Sequence, residues 1–185
     1  MNKYILIFIA FLAIGSTVSA QKTFYTKSGY IGFFSTTPLE NIEARNNQVV
    51  SFIKTDKGSL SFGLLVKSFK FKNALMEEHF NENYAESDKF PKAKFKGTIT
   101  NLNEIDFDKD GVYNAEIHGK ITFHGVSKEV NVKSTLTVNE NKLKGKSTFY
   151  LKPSDFNIDI PSVVRAKIAK EITINVDIDY KIYKK

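Results

Sequence analysis

Tyr113-Asn114-Ala115-Glu116-Ile117-His118-Gly119-Lys120-Ile121-Thr122-Phe123 decides the fold. Every odd position is apolar or glycine and every even one is polar, the two-residue period of a strand with one dry face and one wet face. The same alternation runs through Val130, Val132, Ser134, Leu136 and Val138, and again through Leu143, Gly145, Ser147, Phe149 and Leu151. It closes the chain in Ile172, Ile174, Val176, Ile178, Tyr180 and Ile182. The lysines fall on wet positions, among them Lys94, Lys96, Lys142, Lys144 and Lys146. One greasy interior inside a charged exterior is the pattern of a barrel.

Working outward, strands are predicted near 23–34, 48–56, 59–71, 93–102, 112–124, 128–138, 142–151 and 170–183. Asp56-Lys57-Gly58, Asp108-Lys109-Asp110-Gly111 and Asn139-Glu140-Asn141 supply turn chemistry between them. The connections leave little room for crossover helices, so the sheet is antiparallel and the class all-β. About eight long strands with one apolar face either fold over as a sandwich or close on themselves, and closure removes the exposed edges. The expected fold is a closed antiparallel eight-stranded barrel.

One segment breaks the period. From Asn73 to Tyr84, Met76, Phe80 and Tyr84 recur every fourth residue, Asn73 can cap, and Glu77 and Glu78 sit in the early turns. This predicts a short amphipathic helix lying across one end of the barrel with its stripe inward, as a lid or as a cap on the core.

At the N-terminus, Lys3, the apolar run Tyr4 to Ile14 and the small residues Val18-Ser19-Ala20 read as a secretory signal cleaved after Ala20. The apolar run is short for a membrane span. Residues 1–20 are therefore expected to be a signal peptide, residues 21–185 the barrel, and the protein periplasmic or secreted. Removing twenty residues from 185 leaves 165, enough for one domain with a sizeable core. The whole chain carries 27 Lys and Arg against 20 Asp and Glu; loss of Lys3 makes that 26 against 20, a net +6. A solvated lysine-rich wall accounts for this charge, and attraction to an anionic lipid surface or an anionic ligand head is compatible with it. The chain has no Cys, so an exported domain must rely on its sheet rather than on disulfides.

Catalytic patterns are absent from the sequence. Without Cys, with three scattered His and with no strand-turn-helix serine, zinc-protease pair or phosphate-cradling glycine loop, no enzyme is expected and no cofactor. His118 and His124 fall on predicted outward positions, too far apart along a strand to share a metal. Asp106, Asp108, Asp110 and Gly111 begin like a calcium loop, but Ile117 stands where the bidentate Glu is needed, which leaves an acidic turn with weak cation binding as the alternative. Asp155 and Asp159 are explained by turn hydrogen bonding. Nucleic acid is not an expected partner: the leader directs the chain elsewhere and stacking platforms are not evident.

Several segments carry a resemblance. Ser68-Phe69-Lys70-Phe71, Leu75 to Ser87 (LMEEHFNENYAES), Phe90-Pro91-Lys92-Ala93-Lys94-Phe95-Lys96-Gly97, Gly119 to Gly125 with its His124-Gly125 pair and Val126, and Asp155-Phe156-Asn157-Ile158-Asp159-Ile160-Pro161 are similar to the YceI-like family of exported lipid-binding proteins. The resemblance spans nearly the whole mature chain. It implies a lipocalin-like barrel whose elongated apolar cavity holds a polyisoprenoid or similar long-chain amphiphile, for storage or transport and without catalysis.

The positions expected to line that cavity are Phe62 and Leu64, then Phe95 and Ile99, then Ala115, Ile117, Gly119, Ile121 and Phe123. Leu136, Phe149, Ile174 and Val176 complete the wall, and Met76 and Phe80 reach it from the helix. His79, Arg165 and Lys167 are the candidates for head-group contact; each is equally an ordinary surface residue. Gly63, Gly97, Ala115, Gly119 and Gly145 are expected to leave room for a slim chain, or else to relieve curvature. Burial of hydrocarbon yields about 0.8 kcal/mol per methylene. A tail of roughly twenty carbons therefore gains on the order of 16 kcal/mol gross, against an association cost of roughly 4 to 15 kcal/mol. The competing expectation is an exported interaction protein with a filled barrel and no lipid.

Overall fold

The structure, a computed structural model, describes residues 21–184; the expected signal peptide lies outside the described residues. The strands are β1 (Thr23–Thr36), β2 (Asn41–Lys54), β3 (Ser59–Leu65), β4 (Lys70–Phe71) and β5 (Lys92–Ile99), then β6 (Gly111–Phe123), β7 (Val126–Asn139), β8 (Lys142–Leu151) and β9 (Ile172–Ile182). A short helix, α1 (Ala74–His79), lies between β4 and β5. The sheet order is β1-β9-β8-β7-β6-β5-β3-β2, and β1 also pairs with β2, so eight antiparallel strands close into a barrel. The two-residue β4 is an extra piece on Ala44 and Arg45 of β2.

Tight turns set the register. Glu140 and Asn141 have φ of 48° and 61°, and His124 and Gly125 have φ of 49° and 73°. Two consecutive left-handed residues make the hairpin turn whose twist suits flanking strands. Gly125 is required there, because a Cβ would also meet the Phe90 ring at 2.6 Å.

Two strand boundaries differ from those read in the sequence. β2 starts at Asn41 rather than near 48, because its inward positions change phase: Ala44 and Asn46 face in, and after Asn47-Gln48 the inward set is Val49, Ser51 and Ile53. The β1–β2 register shifts on both sides of the Gly29–Val49 pair, an irregularity that breaks the alternation. Asn46 is fully buried, and its side chain is satisfied by donating to the Leu65 carbonyl and accepting from the Gln48 amide. The predicted strand 59–71 is cut at Val66–Ser68 by a 3-10 turn.

Both ends of the barrel are stoppered. At the end where β1 finishes, which we call the upper end, α1 runs on through one wider π turn, Phe80–Tyr84. Asn73 caps the helix by accepting from the Leu75 and Met76 amides. Phe80 then packs its ring 5.2 Å from those of Phe33 and Phe71 and 5.8 Å from Phe69. At the lower end the β5–β6 loop turns Ile105 and Phe107 inward, Phe107 lying 6.3 Å from Phe24.

Candidate ligand cavity

An apolar cavity lies between these stoppers. It is slim, with a volume of about 50 Å³. Phe62, Phe95, Ile99, Ile117, Leu136, Phe149 and Val176, all expected to line it, do so. Ile53, Leu60, Val132, Ile178 and Tyr180 join them. These additions have the same signal, inward phase on a strand, as the positions named from the sequence.

The other expected lining residues occupy the core around the cavity. Leu64, Ala115, Ile121 and Ile174 are buried in the apolar cluster. Phe123 lies edge-on to Phe156, ring centres 5.7 Å apart. Phe80 belongs to the upper aromatic stopper, and Met76 is half-buried on α1.

The glycines divide into two kinds. A Cβ on Gly119 would meet the Phe95 ring at 2.6 Å and the Lys96 carbonyl at 2.6 Å; one on Gly97 would meet the same ring at 2.7 Å. Gly97 and Gly119 are cross-strand partners, so together they form a bed for Phe95 and leave no open space. Phe62 stacks on that ring at 5.0 Å. Gly145 is different: a Cβ there would make only ordinary contact at 3.5 Å, and it faces the cavity. Gly63 has nothing nearer than a carbonyl at 3.7 Å.

The cavity's polar groups are few. The Tyr180 hydroxyl and Ser51 Oγ lie 2.9 Å apart, and Ser51 also donates to the Ser61 carbonyl at 3.1 Å. Burial pushes the Tyr180 phenol up to about 12, with the Ser51 bond opposing part of that rise. Ser134 and Ser147 add two hydroxyls to the wall.

The candidate head-group residues sit outside this space, all at the upper end. His79 is exposed on α1. Lys167 faces Glu40 at 3.7 Å, and Arg165 donates to the Ile160 carbonyl of its own loop at 3.4 Å. None of the three borders the cavity.

His124 departs from its expected outward placement. Its turn folds it back, so that Nδ1 lies 2.8 Å from the Phe156 carbonyl and Nε2 lies 2.7 Å from the Glu86 carboxylate. The ring thus bridges an acceptor on each side. The Phe90 ring stands edge-on at 4.8 Å. This cluster ties three upper-end segments together. Its members sit in the family-like segments Leu75–Ser87, Phe90–Gly97, Gly119–Gly125 and Asp155–Pro161, but nothing in the sequence joins them.

The acidic residues are spent on local structure. Asp106 accepts from the Asp108 amide, Asp110 from the Glu140 amide, and Asp108 pairs with Lys22. Asp155 pairs with Lys128, whose ammonium holds its carboxyl below the usual range, and Asp159 is exposed.

Three solved structures share this architecture. A polyisoprenoid-binding domain from Saccharophagus degradans, implicated in plant cell wall breakdown, superposes with a TM-score of 0.75 at 10% identity, over 87% of this chain and 98% of its own. BcnA of Burkholderia cenocepacia gives 0.69 at 17%, over 82% and 95%. The YCEI protein of Campylobacter jejuni gives 0.56 at 14%, over all of both chains. At such identities the likeness is one of fold. No curated protein matches the chain. The YceI-like domain profile matches residues 16–180, and the chain belongs to that family.

Proposed function

We propose that this protein binds a long-chain amphiphile, an isoprenoid-tailed lipid in particular, inside the barrel, without catalysis and outside the cytoplasm. The observation that carries the reading is the lining of the cavity: hydrocarbon and aromatic ring almost throughout, with its phenol already satisfied by Ser51. Such a wall offers little to a polar metabolite and much to a tail. The polyisoprenoid-binding description of the Saccharophagus domain supports the same ligand class. Contact with a membrane surface during exchange fits the upper end, where Leu39, Leu75 and Val163 are exposed beside Arg165, Lys72 and Lys170.

The slimness of the cavity favours the competing reading, a filled barrel that works through its outer surface. Mass spectrometry of organic extracts from natively purified protein separates the two. Binding predicts a co-purifying amphiphile near one per chain. An extract free of lipid, from protein that also takes up none of an added twenty-carbon prenyl alcohol, supports the filled barrel.

A further inference from the structure

We propose that the tail enters and leaves sideways, through a slot between β7 and β8; this rests on the binding reading above. The β7–β8 ladder ends at the pair Ser134–Ser147. Yet β7 reaches back to Val126, paired with β6 all the way, and β8 runs on to Leu151, paired with β9 all the way. In continued register Lys133, Val132, Asn131 and Val130 would face Thr148, Phe149, Tyr150 and Leu151, and none of these pairs forms. A barrel has its advantage in lacking edges, and here two edges lie side by side unjoined.

The slot has defined limits. At the fork, Ser147 Oγ donates to the Lys133 carbonyl at 2.7 Å, a side chain serving an acceptor next to the broken ladder. At the upper limit the 3-10 turn Pro153–Phe156 returns to β7, held by the Lys128–Asp155 pair and by Phe156 against Phe123. Six residues separate Lys128 from Ser134, roughly 20 Å at about 3.3 Å per residue. Val130 and Leu151 on the inward faces of its two edges are half-buried and pack on the core. Directly behind them the cavity is walled by Val132, Ser134, Ser147, Phe149 and Val176, and Lys146 at the fork also borders it.

The axial routes are far worse. Leaving through the upper end requires displacing the packed rings of Phe33, Phe69, Phe71 and Phe80, and the lower end is closed by Ile105 and Phe107. Parting the slot breaks no ladder hydrogen bond. It also widens the cavity where it is narrow, which accommodates a tail that the present width does not.

The chain has no Cys, so introduced thiols are unique. In Lys133→Cys/Thr148→Cys, oxidation should staple the slot. Loading of the twenty-carbon prenyl alcohol geranylgeraniol from vesicles, followed by extraction, should be at least tenfold slower in the oxidised form, reach the same final level, and recover on reduction. A second variant does not depend on disulfide closure: Tyr150→Cys, exposed beside the slot, carrying a bulky maleimide, should slow loading, whereas the same label at Lys54→Cys, exposed on β2 across the barrel, should not. Equal rates for oxidised and reduced protein, or no slowing by the Tyr150→Cys label beyond that at Lys54→Cys, overturn the route and leave binding intact. No loading by the unmodified protein overturns binding, and the route with it.

Discussion

At Gly119 and Gly145, two glycines of the same inward phase do opposite work. Gly119 makes way for the Phe95 ring and the β5 backbone, so Gly119→Ala forces contacts at 2.6 Å and should cost about 1–3 kcal/mol in urea denaturation. Gly145 faces the cavity with only ordinary contacts at 3.5 Å, so Gly145→Leu should keep the fold while reducing prenyl alcohol loading more than tenfold; undiminished loading would show that the tail lies elsewhere. The alternation made both positions legible as inward, but not which of them was empty. That depends on where one phenyl ring three-dimensionally rests. Tyr180 gives a pH signature. Its phenol ionises near 10 in the unfolded chain and at about 12 in the fold, so the folded state holds its proton more tightly. The associated stability is fully present below pH 10 and is lost as pH rises from 10 to 12, by up to about 3 kcal/mol. Comparing denaturation midpoints of wild type and Tyr180→Phe at pH 8 and pH 11 should show the steeper alkaline loss in the wild type alone.

Among the elements, strands with an unbroken phase were readable nearly to their ends: β8 was expected at 142–151 and forms there. β2 was not, because the phase change after Asn46 places a polar residue inside, and a buried Asn satisfied by backbone looks in sequence like a loop. The helix was recognisable from its cap and stripe, and Phe80 does turn inward. The His124 cluster shows what local pattern cannot supply: its partners Glu86 and Phe156 lie 38 and 32 residues away. Removing the imidazole takes a partner from the half-buried Phe156 carbonyl and from the Glu86 carboxylate, which keeps Lys89 at 3.8 Å. His124→Ala should therefore destabilise by about 1–3 kcal/mol, seen as a lower midpoint in urea, with the barrel's circular dichroism unchanged below the transition.

For the whole molecule, closure, strand direction and a greasy interior followed from periodicity because a two-residue repeat assigns every side chain to a face. The slot between β7 and β8 did not, since both strands keep their alternation past the point where their ladder stops. The cavity's width did not either, being a residue of how Phe62, Phe95 and Phe149 share the centre. On the proposed reading, a barrel with stoppered ends and an unzipped side is a container spread by its contents. Hydrocarbon is the content that gains most from such a wall. The direct measurement is affinity for prenyl alcohols of ten, fifteen, twenty and twenty-five carbons. Kd should fall at least tenfold with each added isoprene unit until the barrel is full, and then level off. Affinities that stay flat across the series, or that are undetectable throughout, would contradict it.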